Sequence, residues 1–122
     1  MDKKTIGTDI VSVQRLQKLA EDYGSRFYRH LFTEEEVRWC KNRSSPYIHY
    51  AGRFAAKEAV KKALLSLGEK SPLPLNSIEI KRNQDGPPQV FLHSNLSKHY
   101  HVEVSISHTE NYAIAVALAS LA

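Results

Sequence analysis

The sequence predicts an α+β fold in which an antiparallel-rich sheet packs against one long helix and several shorter helices. Three observations lead to this prediction: an alternating strand near the N-terminus, a long helical pattern at mid-chain, and four strand-like segments in the second half. The chain has 122 residues, 42% of them hydrophobic and 25% charged, which suits a globular protein rather than a disordered one. We therefore expect residues 1–122 to form a single domain.

The N-terminal segment is predicted to form one strand followed by one helix. Residues 5–11 are predicted to form a strand, since apolar and polar or small residues alternate along it. The helical period begins at Val13, directly after Ser12, which is a favourable N-cap residue. Gly24 is expected to end this first helix.

Three further helices are predicted before the chain reaches its middle. A short one covers residues 26–31, and Thr33 and Glu36 have the capping-box spacing that opens another. A polar break follows over residues 42–46. The longest helical pattern then covers residues 50–67 and provides the long helix of the fold.

The second half of the chain is mostly strand. Residues 77–81 and 89–92 are expected to form a hairpin around the turn at residues 85–88, with a short helix over residues 95–99. Two more strands end the chain. Every second residue is alanine in the last one, residues 112–119, and such small side chains allow a helix to lie close against the sheet.

Charge and composition limit the partners and the location that we expect. Residues 1–67 carry 13 Lys and Arg against 8 Asp and Glu, whereas residues 68–122 carry 4 against 5. The basic half indicates either an anionic partner or an ordinary solvated surface. A single cysteine, Cys40, excludes an intrachain disulfide. No long apolar stretch suggests a signal peptide or a membrane span, so a cytoplasmic location without membrane contact is expected.

Asp9 is the first candidate for chemistry, because it lies inside an otherwise apolar strand. Asp is disfavoured in strands, and a buried carboxylate without a partner is costly. The compensating group is a cation such as Mg²⁺, a nearby Arg or Lys, or a helix N-terminus. Gly7, two residues earlier, allows another backbone or a ligand to approach closely.

Glu58 is the second candidate, on the long helix. At about 100° per residue, Lys57, Lys61 and Lys62 fall with Glu58 on one arc, opposite a broad alanine-rich face. A lone acid among lysines suits a divalent cation with a bound phosphate. The alternative is an ordinary i, i+4 pair between Glu58 and Lys62.

His108 is the third candidate, at the end of the penultimate strand. It shares the parity of Val102 and Val104, so its side chain is expected on the core side of the sheet, at the rim. A histidine in this position is either a ligand or a hydrogen-bonded structural residue. The other histidines have no metal-ligand spacing with Cys40, so no zinc site is expected.

Taken in chain order, three motifs of this sequence resemble those of the holo-acyl-carrier-protein synthase family, the small 4′-phosphopantetheinyl transferases. The resemblance rests on Gly7-Thr8-Asp9, on Arg53-Phe54-Ala55-Ala56-Lys57-Glu58-Ala59 and on Ser105-Ile106-Ser107-His108, and it covers essentially the whole chain. It implies an enzyme that transfers 4′-phosphopantetheine from coenzyme A to a serine of acyl carrier protein.

The resemblance also implies roles for individual residues. Asp9 and Glu58 would be the catalytic, Mg²⁺-binding acids. Coenzyme A would be bound by a larger set, namely Arg53, Lys57, Lys62, His108 and the turn residues Gly86 and Pro88. Basic residues Arg15, Lys18 and Arg26 would contact the carrier protein, and the family implies a homotrimer with active sites between protomers. The alternatives are a small basic RNA-binding module and a non-catalytic nucleotide-binding module, although the strands lack the exposed aromatic pairs that stack RNA bases.

Overall fold

The computed structural model describes residues 3–83 and 86–122. Within these residues the chain forms four α-helices and five β-strands. The helices are α1 (Val13–Tyr23), α2 (Ser25–Leu31), α3 (Glu34–Lys41) and α4 (Pro46–Ser66), and the strands are β1 (Lys4–Ser12), β2 (Ile78–Arg82), β3 (Pro88–Leu92), β4 (Tyr100–His108) and β5 (Tyr112–Leu121). Single 3₁₀ segments lie at Leu75–Ser77 and Ser94–Lys98. The predicted α+β class is confirmed.

Local signals place most helix ends correctly. Ser12 caps α1 by accepting a hydrogen bond from the Arg15 amide, and Gly24 ends it at φ 59°. Thr33 and Glu36 form the predicted capping box at the start of α3. The predicted start of the long helix at residue 50 is wrong, because α4 begins at Pro46. Proline has no amide hydrogen to lose at the first helical position, where that donor is free anyway.

The alanine face of β5 lies against α4, as predicted. β5 is the central strand of an antiparallel sheet with the order β1-β5-β4, whereas β2 and β3 form a separate hairpin. The residues of β5 that face the helix are small and buried, namely Ala113, Ala115, Ala117 and Ala119. On β1, Gly7 allows the same close approach, since a Cβ there would lie 1.8 Å from the Ala59 carbonyl oxygen. The helix therefore runs almost directly on the backbone of the sheet.

The opposite face of the three-stranded sheet is apolar and exposed. Ile6 and Ile10 of β1 are 65% and 66% exposed. On β5 the exposed apolar residues are Tyr112, Ile114, Val116, Leu118 and Leu121. Leu121 has the parity of the buried alanines and is exposed only at the strand end, so we call the other six residues the outer sheet face. β3 borders Val116 and Leu118 across an open cavity, but the residues of this face stay between 39% and 66% exposed, and a contiguous exposed apolar face marks an interaction surface. Among the described residues, no helix is both long and apolar enough to cross a membrane.

Candidate active site

Asp9 lies on the face of β1 that packs against α4, with 18% of its side chain exposed. The Lys62 ammonium group is 3.3 Å from Asp9 Oδ1 and also donates to the Thr8 carbonyl oxygen at 2.9 Å. A lysine is therefore the group that compensates this carboxylate in the chain itself. Because Lys62 is 54% exposed, the pair opens to solvent along the flank of α4.

The register of β1 on α4 brings Asp9 beside the turn that carries Glu58. Thr5 Oγ1 donates to the Ala63 carbonyl oxygen at 2.7 Å, and Gly7 lies against Ala59, one helical turn earlier. Two residues of a strand advance about 6 Å, and so do four residues of a helix. Asp9, the next residue on this face of β1, therefore meets the turn of α4 at residues 55–58. Glu58 is half-buried there, one turn before Lys62 on the same flank. By this register Asp9 and Glu58 lie at the same edge of the β1–α4 contact, with Lys62 paired to Asp9, and we call this solvent-open edge the cleft.

The chemistry of this donor set suits a hard divalent cation. Among the described residues, no group of three or more His, Cys, Asp or Glu side chains is arranged to hold a metal ion. Mg²⁺ does not need one, since one or two carboxylates usually bind it and phosphate oxygens and water complete its shell. Asp9 and Glu58 supply only oxygen ligands. The ammonium group of the neighbouring Lys62 attracts a negatively charged substrate, whose oxygens take the place of further protein ligands.

A second basic site surrounds Trp39 of α3. The Arg43 and Arg53 guanidinium carbons each lie 3.8 Å from the centroid of the Trp39 ring. Two guanidinium groups at this distance occupy opposite faces of one ring, so the indole is sandwiched between two cations. Arg53 is 5% exposed, and its buried Nε has no hydrogen-bond partner. Burial lowers the pKa of Arg53, and an unpaired buried N–H favours an anion as its partner.

Two histidines extend this site to the end of β4. The His49 ring meets Trp39 edge-on, with centroids 5.2 Å apart, and the His108 ring lies 6.1 Å from that of His49. Burial, and then the charges of Arg53 and His108, lower the pKa of His49. We call Arg43, Arg53, His49 and His108, together with Trp39, the Trp39 cluster. Sequence reasoning missed Trp39, Arg43 and His49, since their spacing shows no pattern and only α3 and α4 bring them together.

The Trp39 cluster borders the β2–β3 hairpin. A cavity of about 200 Å³ lies between them, lined by Trp39 and Arg53 on one side and by Arg82 and Asn83 on the other. At the hairpin turn, Gly86 donates its amide to the Asn83 carbonyl oxygen and accepts from Arg82 Nε. Pro88 begins β3, and both predicted turn residues, Gly86 and Pro88, are half-buried. Asp85 of the predicted turn lies outside the described residues.

The predicted position of Lys57 on the charged arc of α4 is wrong. Its side chain is fully buried, and its ammonium group donates to the Leu31 carbonyl oxygen at 2.8 Å, to Glu36 Oε1 at 2.5 Å and to the Leu75 carbonyl oxygen at 3.0 Å. All three N–H donors are therefore used inside the protein, which leaves none for a phosphate. Helical spacing predicts the direction in which the Lys57 side chain leaves the axis of α4. It does not predict that α2, α3 and the Leu75 segment pack on that side.

The basic face of α1 and α2 also contains exposed apolar residues. Arg15, Lys18 and Arg26 are exposed as expected, and Lys18 pairs with Asp22 at 3.5 Å. Among them, Leu19 is 45% and Tyr23 57% exposed. With Arg15 at i, Leu19 at i+4 and Tyr23 at i+8, one stripe of α1 combines charge with apolar surface.

Carboxylates beside a lysine, together with a cluster of guanidinium and imidazole groups, are typical of proteins that bind a phosphorylated substrate. The family model described as the 4′-phosphopantetheinyl transferase superfamily matches residues 5–117. The chain therefore belongs to this family, and the resemblance stated from the three motifs is confirmed.

Individual relatives agree with this assignment. The holo-[acyl-carrier-protein] synthase of Chlorobaculum parvum is 44% identical over 115 residues, which cover 93% of this chain and 95% of the relative. That of Thermodesulfovibrio yellowstonii is 41% identical over 110 residues, covering 90% and 92%. Among solved structures, the Neisseria meningitidis holo-[acyl-carrier-protein] synthase has 33% identity and a TM-score of 0.82, covering 94% and 96%. The ACPS–CoA complex of Chronobacterium ammoniagenes has 28% identity and a TM-score of 0.84, covering 98% of both chains.

Proposed function

We propose that this protein transfers the 4′-phosphopantetheine group of coenzyme A to a serine of apo-acyl carrier protein. The products are holo-acyl carrier protein and adenosine 3′,5′-bisphosphate. The observation that supports the proposal is the register of β1 on α4, in which Asp9 pairs with Lys62 and follows the Gly7–Ala59 contact toward the helical turn of Glu58. The names of the relatives and the solved complex with coenzyme A support the same reaction.

In this proposal, Asp9 and Glu58 hold Mg²⁺ in the cleft between β1 and α4. The ion, when bound, neutralises the negative charge of the coenzyme A diphosphate, which is the main requirement of phosphoryl transfer. The Lys62 side chain is 54% exposed, so packing does not hold it on Asp9 and its ammonium group would move to a phosphate oxygen. Its ammonium group then binds the substrate in place of the carboxylate.

Coenzyme A extends from this cleft to the Trp39 cluster. Arg53 and His108 bind phosphate oxygens, and Arg43 on the far face of Trp39 adds a further positive charge. The adenine lies toward the hairpin turn, where Gly86 has no side chain to obstruct it and Pro88 offers an apolar surface. Lys57 takes no part in substrate contact, because its ammonium group is buried.

The reaction forms one P–O bond and breaks another. The serine oxygen of the carrier protein bonds to the phosphorus that bears pantetheine, and the bridging P–O bond of the diphosphate breaks toward adenosine 3′,5′-bisphosphate. The serine proton leaves as the new bond forms. Of the groups in this chain, Glu58 is our candidate acceptor for that proton, since it borders the cleft.

The carrier protein docks on the stripe formed by Arg15, Lys18 and Arg26 with the exposed Leu19 and Tyr23. Basic residues around apolar ones suit an acidic, amphipathic helix of a partner. Charge attraction raises the association rate and makes it sensitive to salt.

The assembly in this proposal is a homotrimer with active sites between protomers. The outer sheet face supports it, since six exposed apolar residues on one face of the sheet are more stable when buried against copies of themselves. The cytoplasm remains the predicted location.

The decisive experiment combines the protein with coenzyme A, Mg²⁺ and an apo-carrier protein, followed by intact-mass measurement of the carrier. A gain of one phosphopantetheine group, abolished by EDTA and restored by added Mg²⁺, supports the proposal. Coenzyme A binding without a mass gain would favour a non-catalytic nucleotide-binding module. Nucleic-acid binding without a mass gain would favour an RNA-binding module.

A further inference from the structure

Lys57 and Glu36 form an ion pair that is sealed inside the protein, where four segments of the chain meet. Both side chains are at most 1% exposed. Lys57 comes from α4, and its three acceptors belong to the end of α2, to α3 and to the Leu75 segment. Its ammonium group also lies 5.2 Å from the centroid of the Phe32 ring. One side chain of α4 is thereby bonded to three neighbouring segments.

Glu36 extends the connection to the β2–β3 hairpin. Its Oε1 accepts from Lys57 and from the Thr33 amide, and its Oε2 accepts from the Ile80 amide of β2 at 2.8 Å. Thr33 adds a second bond to β2, since its hydroxyl donates to Glu79 Oε2 at 2.6 Å. The rotation of α4 and the position of the hairpin are therefore determined by one network of directional bonds.

Stability alone does not account for such a pair. Removing two charges from water costs several kcal/mol, and apolar residues of the same volume usually stabilise a protein as well or better. Burial indeed lowers the pKa of Lys57, although the Glu36 carboxylate opposes that shift. What an ion pair provides and apolar packing does not is a fixed geometry between the segments that it bonds.

The segments held by this pair carry the coenzyme A site of the proposed function. Glu58 is the next residue of α4 after Lys57, and Arg53 lies one turn earlier on the Lys57 side, against Trp39. The hairpin carries Arg82, on the other side of the cavity beside Arg53, and Gly86, whose carbonyl oxygen accepts from Arg82 Nε. A shift of the hairpin against α4 would change the width of this cavity and separate the groups that bind the two ends of the nucleotide.

We propose that the buried Lys57–Glu36 pair is a positioning device, which aligns the β2–β3 hairpin and the Trp39 cluster with Glu58 for coenzyme A binding. Neither residue touches the substrate. The inference rests on the proposed function. In it, the lysine of the Lys57-Glu58 motif holds the binding groups in position and does not contact a phosphate.

Kinetics with coenzyme A and with dephospho-coenzyme A, which lacks the 3′-phosphate, test this inference. We expect Lys57→Met to raise the KM of both substrates by the same factor, about tenfold, because misplaced binding groups weaken both. The KM for carrier protein should change less than about twofold. Arg53→Met serves as the comparison and should reduce the preference for the 3′-phosphate. A Lys57→Met variant that loses this preference would overturn the inference, because it would place Lys57 on the phosphate.

Stability is separated from positioning by two further variants. Lys57→Met leaves a buried unpaired carboxylate, whereas the double variant Lys57→Met with Glu36→Gln removes that charge and should recover part of the lost Tm. Its KM for coenzyme A should stay high. Leu16→Ala, in the core under α1, is the matched control, which should lower Tm without changing that KM. If the KM for coenzyme A rises in step with the loss of Tm in all of these variants, the pair is merely structural and the inference is wrong.

The two proposals fail in distinguishable ways. If the wild-type protein binds coenzyme A but transfers nothing, the proposed function fails, and calorimetric Kd values for coenzyme A replace KM in the same comparison. Amide exchange at Ile80 reports on the hairpin directly. Faster exchange in Lys57→Met than in Leu16→Ala supports the inference, and equal exchange contradicts it.

Discussion

Gly7 of β1 and Ala59 of α4 are in backbone contact, and a Cβ at position 7 would lie 1.8 Å from the Ala59 carbonyl oxygen. This contact sets the distance between the strand that carries Asp9 and the helix that carries Glu58. Asp9 is two residues beyond Gly7 on the same face, and Glu58 directly precedes Ala59. The closeness of sheet and helix thus decides the width of the cleft between the two acids.

Gly7→Ala should therefore damage both the fold and the site. The added methyl group meets backbone rather than a movable side chain, so we expect the free energy of unfolding to fall by about 3 kcal/mol. Denaturant unfolding measures this loss, with Ser97→Ala, at an exposed position outside the three-stranded sheet, as the control. Wild-type stability in Gly7→Ala would mean that β1 and α4 are further apart than described.

Glu58→Gln should leave the fold intact and lower kcat at least about a hundredfold, because the amide binds a divalent cation poorly and accepts no proton. Asp9→Asn is expected to behave similarly. Steady-state transfer at saturating coenzyme A, with circular dichroism to check folding, is the measurement. Glu110→Gln changes an exposed carboxylate elsewhere and should have no effect. Near-normal turnover by Glu58→Gln would remove this residue from the metal site.

Arg15→Glu should raise the KM for carrier protein by about tenfold and leave that for coenzyme A nearly unchanged, since it reverses a charge on the docking stripe only. Adding salt should weaken carrier binding by the wild type more than by the variant. Lys98→Glu makes the same change of charge at an exposed position outside the stripe. Equal effects on both substrates would argue against docking at Arg15.

Val116→Glu introduces a charge into the outer sheet face, where Val116 is 45% exposed in the single chain. Burial of an unpaired carboxylate in an interface between copies is costly, so the assembly should dissociate to monomers. Light scattering after gel filtration measures the mass, and transfer activity should fall with it. An unchanged mass, equal to that of the wild type, would place the contacts between protomers elsewhere.

His49 should make stability depend on pH below neutrality. Burial and the nearby cations lower its pKa in the folded protein from the usual 6.5, so the unfolded chain takes up a proton first as the pH falls. Stability contributed by neutral His49 is therefore complete above pH 6.5 and is lost as the pH decreases below it. His49→Gln should flatten this part of the stability curve, whereas His30→Gln, at an exposed position, should not. Identical curves for wild type and His49→Gln would contradict the prediction.

Sequence patterns were informative wherever the deciding interactions are local. The Ser12 cap, the Gly24 stop and the Thr33–Glu36 capping box depend on residues within one turn of each other, and all three are present. The alternation of β5 likewise predicted that its alanines face a helix. The long helix was predicted to begin four residues too late, because Pro46 was grouped with the polar residues before it as a loop.

By itself, the sequence determined the fold class, the order of elements and the three motifs that led to the family. Tertiary structure alone decided that Lys57 is buried with Glu36, that Arg43 and Arg53 enclose Trp39, and that Leu19 and Tyr23 are exposed. Helical and strand periods give only the direction in which a side chain leaves its own element. What that side chain meets depends on which distant segment packs there, and the sum of long-range contacts over the whole chain decides this.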